Sequence, residues 1–489
     1  MPVAAPAVRV AWLPGLTEAN RRWWTLAGTC MGLFVLMLDS TVINLALTPI
    51  AHDIGATTAG LQWVVNGYLL VLAATVVTAG RVGDILGRRA VFFAGMALFA
   101  AGSIVCATSN SEEVLVGGRF VQGLGAAPLL GLSLAIVSAA FSTEERTKAL
   151  GIWAGVSALA LGIGPLLGGA LIEAVSWRWL FWINLPFCLL GVVLVLGSTA
   201  EQRDPGAARR IDVPGVITVG AGLALVVLAL VEGKTWGWTS AATLGSFCAG
   251  LACLAAFWFI EHRVASPIVE FSLFRNRPYF GASAAGFCLV GCYWAVMFLQ
   301  PQYLQEALKH STLVAGVMVL PITAPMIALS PLGGRLIALV GTRPLMTFGM
   351  ALGTAGLVVL ALVGPSTGYG VVFVGYLLFG LALGCVYAPM SAAAMTALPQ
   401  NKAGIAAGVL AMNRVLAGAL TLAVAGALFQ HVLVDDTAAH EPVLTAYTAA
   451  LSAANWVLVG LCAIGTMLTW AFVRDAQPGA HRHHRHLHF

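Results

Sequence analysis

Charge is what this sequence has least of. Only 9% of its 489 residues are Asp, Glu, Lys or Arg, against about 25% in a soluble domain. So few charges cannot coat a water-soluble globule of this size, and they exclude intrinsic disorder as well. Cysteine is present nine times (30, 106, 188, 248, 253, 288, 292, 385, 462), always inside an apolar stretch and without paired spacing. A disulfide frame and a zinc site are therefore not expected, and small packing residues are. The apolar stretches hold no nucleophile–base set and no histidine-rich set, which argues against an intramembrane enzyme. The net charge of +5 is too small to suggest nucleic acid as a partner. A cleavable leader is not expected either, because the apolar run after Arg9, Arg21 and Arg22 is too long for a signal core.

What is abundant is apolar. Hydrophobic residues make up 59%, with 55 glycines and 14 tryptophans, and the mean hydropathy is +0.90. Close-packed helices with interfacial anchors have this composition. A spanning helix needs about 20 mainly apolar residues. Fourteen runs meet that length: 25–47, 61–79, 90–108, 114–139, 149–174, 179–198, 213–232, 241–260, 279–301, 313–333, 344–363, 369–390, 403–430 and 452–473. An even number puts both termini on one side. Twenty of the 25 lysines and arginines fall on that side, and Arg178, Lys234 and Lys309 on the other, with Arg119 and Arg414 inside spans. The positive-inside rule then makes both termini cytoplasmic in a multi-pass protein of the cytoplasmic membrane.

The sequence repeats weakly at an offset of 254 residues. Gly80-Arg81 followed by Gly87-Arg88-Arg89 returns as Gly334-Arg335 followed by Gly341-Thr342-Arg343, Thr25 maps onto Tyr279, and Gly164 onto Gly418. Two parallel six-span bundles with a site between them suggest a transporter. The expected organisation is a cytoplasmic N-terminus (1–24), a first bundle (25–198), linkers with inserted spans 7 and 8 (199–278), a second bundle (279–473) and a tail (474–489).

Four motifs carry chemistry. The turn after span 2 sets Gly80, Arg81, Gly83, Asp84, Gly87, Arg88 and Arg89 together, glycines for close approach and a carboxylate among arginines as a latch. Span 4 carries Arg119, Gln122 and Gly123, with Arg119 and Gln122 three residues apart on one face. Span 1 carries Asp39, the one acid well inside a span, followed by Asn44. Counted along the helices, Asp39 lies about 12 Å and Arg119 about 8 Å below the same surface, which makes them candidates for a pair. Span 5 carries Gly162, Gly164, Pro165, Gly168 and Gly169, a small-residue ridge with a possible kink. In the second half the offset replaces Asp39 by Tyr293, Arg119 by Phe373 and Asp84 by Ala338, so the ionisable chemistry belongs to the first half.

As a set these motifs resemble the 14-helix drug:proton antiporter branch of the major facilitator superfamily, over essentially 25–474. Trp63, Tyr68, the 177–179 stretch, Asn184 and Pro186 also fit that branch, whereas Thr48-Pro49 departs from its usual span 1 signature. The resemblance implies an all-α membrane fold and export of amphiphilic, often cationic compounds in exchange for protons. It implies no cofactor beyond the proton gradient, and a small molecule, protons and the bilayer as partners of a functional monomer. A metabolite, lipid or siderophore exporter, or an importer, remains the alternative of the same fold. Asp39 and Arg119 are then the proton-coupling candidates. Asn44, Trp63, Tyr68, Tyr293, Met297, Gln300, Asn413 and Arg414 are candidates for the substrate cavity. The histidine-rich tail reads as an unstructured basic segment, and no metal site is expected.

Overall fold

The computed structural model describes residues 17, 20–201, 203, 212–264, 267–329, 332–398 and 403–473. Among the described residues there is no strand. The helices of the first half are α1 (Arg21–Ile54), α2 (Thr58–Leu86), α3 (Arg88–Ala107), α4 (Glu112–Ala140), α5 (Thr143–Ala174), α6 (Trp179–Trp182) and α7 (Asn184–Ser198). Then come α8 (Val213–Trp236) and α9 (Ala241–Glu261), which pack on each other; α8 also touches α2 and the long helix α16 of the second half. The second half holds α10 (Arg277–Gln302), α11 (Thr312–Met318), α12 (Leu320–Leu329), α13 (Gly333–Val340), α14 (Thr342–Ala361), α15 (Tyr369–Thr396), α16 (Ala403–Ala438) and α17 (Val443–Phe472). Among the described residues thirteen spans are long and apolar enough to cross a bilayer, and a bent pair makes a fourteenth.

The repeat holds in detail. Shifting α3 by 254 residues lands on the bounds of α14, and the turns before them sit on Gly87 and Gly341, with φ of 122° and 89°. Only glycine takes such backbone without strain. A side chain at Gly164 would strike Thr41 of α1, and one at its mate Gly418 would strike Trp294 of α10, so equivalent helices pack through equivalent glycines.

Two expected elements differ. The run 313–333 is two helices bent by 44° at Val319, where Pro321 lacks a backbone donor and Pro325 lies inside the second helix. Span 6 keeps its expected bounds, Trp179–Ser198, with only a local irregularity at Ile183 between α6 and α7. The stretch between the last two expected runs, 403–430 and 452–473, shrinks to 439–442, because α16 runs on to Ala438 and α17 begins at Val443. There Lys234 of α8 pairs with Asp435 and holds the helix extension. The tail and most of the N-terminal segment lie outside the described residues. All nine cysteines are free and seven are buried, while Cys248 lies on the outward face of α9.

The halves meet most tightly at the end away from the termini. Gln305 Nε2 donates to the Leu45 carbonyl at 3.2 Å, His52 Nε2 lies 2.9 Å from Glu306, and Ser311 Oγ donates to Glu173 at 3.0 Å. Toward the termini, Gly151 and Gly155 of α5 have nothing within 4 Å of where a side chain would begin.

Candidate functional site

An arginine inside the bilayer costs several kcal/mol unless it faces protein or water, and Arg119 is the largest fully buried side chain of the molecule. Five helices converge to satisfy it. Its Nη1 donates to Asp39 Oδ2 of α1 at 2.5 Å and to Gln122 Oε1 at 2.8 Å, and its Nε donates to the Val64 carbonyl of α2 at 2.9 Å. The guanidinium lies 4.3 Å from the ring centre of Tyr68. Asp39 Oδ1 accepts from Gln122 Nε2 at 3.2 Å and from Asn184 Nδ2 of α7 at 3.1 Å. Ser103 of α3 closes the network, accepting from the amides of Gln122 at 2.8 Å and Asn184 at 3.2 Å. Asp39, Gln122, Asn184 and Ser103 are all at most 1% exposed.

Glycine lets the helices come this close. A methyl at Gly102 of α3 would lie 2.6 Å from the Gln122 backbone nitrogen, and one at Gly123 would lie 2.8 Å from the Tyr68 carbonyl. The sequence points to Asp39, Arg119 and Gln122 by charge and spacing. It leaves out Ser103, which looks like any helical serine. Asn184 was noticed only for its fit to a branch, not for its hydrogen bonds.

Beside this network lies a cavity between the halves, with an empty volume of about 680 Å³. Its wall on the first half includes Met37, Ser40, Tyr68 and Leu72; on the second it includes Tyr293, Trp294, Tyr387 and Arg414. Three of the eight expected cavity residues line it, Tyr68, Tyr293 and Arg414. The other five do not. Asn44 bonds back to the Ser40 carbonyl at 3.3 Å, and Trp63 Nε1 donates to Glu232 of α8 at 3.3 Å. Met297 is buried, and Gln300 accepts from the Tyr376 hydroxyl at 2.8 Å. Asn413 donates to the Ser283 carbonyl at 2.8 Å, turned about 100° from Arg414 on the same helix. The repeat signals one residue that was missed: at the 254 offset Leu36 and Ser40 become Val290 and Trp294, and all four line the cavity.

The glycines of α5 divide between two partners. Gly164 and Gly168 face Thr41 and Val42 of α1 within the first half. Gly162 faces Ile327 of α12, and Gly169 faces the Leu313 backbone of α11, both across the central interface. The Pro165 carbonyl lies 2.4 Å from where a side chain on Gly316 would start. The Gly162 and Gly169 side of the ridge forms part of the seam between the halves.

In the turn after α2, Arg88 Nε donates to Asp84 Oδ1 at 2.8 Å, a half-exposed pair one helical turn apart. Arg89 donates to the Thr199 carbonyl at 2.8 Å, and Arg81 reaches the Pro267 carbonyl at 3.4 Å. Glu201, not anticipated, accepts from the Arg89 and Ala90 backbone at 3.1 and 3.2 Å and so caps α3. Gly80 and Gly83 sit in the last turns of α2, Gly83 against Leu132. No group of three or more potential metal ligands occurs among the described residues.

Residues 29–422 match the model of the Major Facilitator Superfamily. The chain is similar to the multidrug resistance protein Stp of Mycobacterium tuberculosis, 34% identical over 405 residues that cover 83% of this chain and 75% of that protein. It is also similar to the tetracenomycin C resistance and export protein of Streptomyces glaucescens, 31% identical over 419 residues covering 86% and 78%. Among solved structures, a bacterial homologue of the human lysosomal transporter Spinster shares the fold, with a TM-score of 0.67 at 14% identity, covering 95% of this chain and 100% of that one.

Proposed function

The chain belongs to the major facilitator superfamily and is a membrane transporter, and from that premise we propose that it exports amphiphilic small molecules across the cytoplasmic membrane in exchange for protons. One adjacency carries the reading. Ser40 and Tyr68 line the cavity; Ser40 follows Asp39 in α1, and the Tyr68 ring carries Arg119. A substrate in the cavity thus touches the two residues that flank the buried ion pair.

An ionised carboxylate at this depth is costly unless it is paired. Arg119, Gln122 and Asn184 all donate to Asp39, so the arrangement suits the ionised form. A shift of α1 against α4 that separates Asp39 from Arg119 strands the charge and favours uptake of a proton. With the termini cytoplasmic, as the lysine and arginine distribution supports, the halves as they stand part toward the cytoplasm. Substrate loads there as Asp39 gives up its proton, and protonation from the far side releases it. Asp84, held by Arg88 in its own turn, latches the cytoplasmic side when it closes. One charge crossing 100 mV contributes about 2.3 kcal/mol, enough for more than a tenfold gradient at roughly 1.4 kcal/mol per factor of ten. We take the transporter to act as a monomer, driven by the proton gradient without a further cofactor. Relatives named for multidrug resistance and tetracenomycin C export favour the outward direction.

The test is dye efflux in everted vesicles under an imposed pH gradient. Asp39→Asn keeps the shape and removes the titration, so it should still bind neutral substrates and lose pH-driven transport. Asp84→Ala should slow transport without changing binding. Uphill transport by Asp39→Asn would sink the coupling role.

A further inference from the structure

We propose that the central cavity selects substrates with an anionic oxygen group on an aromatic or apolar body, and that Arg414 is the residue that selects them. This rests on the reading of the cavity as the transport site and names its substrate class.

Arg414 is the one charged residue among those lining the cavity. Its guanidinium lies 5.2 Å from the ring centre of Tyr387, and no ion pair or hydrogen bond engages it among the described residues. The other arginine inside a span, Arg119, has a carboxylate, an amide, a carbonyl and an aromatic face. Asp39, separated from the cavity by Ser40 and Tyr68, is already engaged by three donors and does not serve Arg414. A face-on tyrosine offsets part of the cost of a cation in the membrane, but leaves the fork of guanidinium donors open for a bidentate oxyanion. The Tyr293 hydroxyl is buried and has no partner among the described residues, so the wall holds a further donor. Trp294, Met37 and Leu72 supply the apolar surface for a ring. A cationic substrate would meet a like charge and no carboxylate among the lining residues. This departs from the cationic compounds the sequence resemblance implies.

The choice of charge also fits the energetics of exchange. An anion leaving and a proton entering move charge in the same direction, so the membrane potential drives both.

The test uses three probes that differ in charge alone: 2-naphthoate, its neutral methyl ester and 2-naphthylmethylammonium. Their binding to the purified, detergent-solubilised protein is measured by calorimetry, with partition into protein-free micelles subtracted. Charge-assisted bonds of this kind support a preference of about tenfold or more for naphthoate over the ammonium probe. Arg414→Gln should erase that preference while the ester still binds, and Arg414→Lys should keep most of it. Should Arg414→Gln fail to fold, Arg414→Lys and Tyr293→Phe carry the test; Tyr293→Phe should weaken naphthoate several-fold and leave the ester unchanged. Equal or tighter binding of the ammonium probe, or an unchanged ratio in Arg414→Gln, overturns the proposal and leaves the transport reading standing. Failure of all three probes to bind overturns both.

Discussion

Removing Arg119 while Asp39 stays leaves a carboxylate in the middle of the bundle with only two amide donors. Breaking a buried pair by deleting one member costs about 3–5 kcal/mol. Arg119→Gln should therefore lower the thermal unfolding midpoint of the purified protein sharply, and adding Asp39→Asn should restore much of it. The two side chains share partners, so their effects cannot be additive. A double variant as unstable as Arg119→Gln alone would show that the charge of Asp39 is not what Arg119 balances. The same residue-scale logic explains Ser103 and Asn184, at most 1% exposed. Asn184 donates to the carboxylate and Ser103 fixes the two amides that do, and neither carries a charge.

At the scale of elements, the halves join where α5 meets α11 and α12 and where α2 meets α16, and the glycines of α5 make unequal demands. A side chain on Gly169 would start 2.8 Å from the Leu313 Cα and 3.0 Å from the Thr312 carbonyl, backbone that has nowhere to go. One on Gly162 would meet the Ile327 Cδ1, the far end of a flexible side chain. Gly169→Ala should then pry α5 from α11 and open that end, whereas Gly162→Ala should leave the seam near wild type. Spin labels at positions 175 and 314 read the separation, and equal behaviour of the two variants would refute the distinction. The inserted pair has a separate device. Asp212 Oδ2 and Glu261 Oε1 are buried without a donor and lie within hydrogen-bonding reach of each other. Two carboxylates this close repel, and neither of these two oxygens has a donor to offset it. Glu261→Gln supplies a permanent donor and should match or exceed wild-type thermal stability. Glu261→Ala strands both Asp212 and the Val269 amide and should cost about 1–3 kcal/mol. Equal melting of the two variants would remove this account.

For the whole molecule the open quantity is orientation. The basic residues cluster with the termini, so an impermeant thiol reagent on intact cells should label a cysteine at Thr437 and spare one at Ser142. The reverse pattern would invert the topology and with it the direction of the transport cycle. The halves are joined at the Thr437 end by Gln305, Glu306 and Glu173, so the labelling also fixes which compartment the cavity faces.

The sequence by itself determined the class of molecule, the span count, the 254-residue repeat and the buried Asp39–Arg119 pair. Hydropathy is a property of composition, and a charge deep in an apolar span leaves few choices of partner. Tertiary structure alone decided what depends on rotation about each helix axis. Spans apolar all round have no wet face to set that rotation, so packing sets it. Arg414 therefore faces the cavity while Asn413, next to it, turns to Ser283. Met297 and Gln300 face inward, and Trp294 faces the cavity although only its repeat mate Ser40 hinted at it. The bend at Val319 and the helical stretch beyond 430 were likewise hidden. The first depends on how Pro321 and Pro325 meet their neighbours, and the second on Lys234 reaching Asp435 from a helix some two hundred residues away. Composition fixes which segments enter the membrane; contacts between distant helices fix which side of each one does the chemistry.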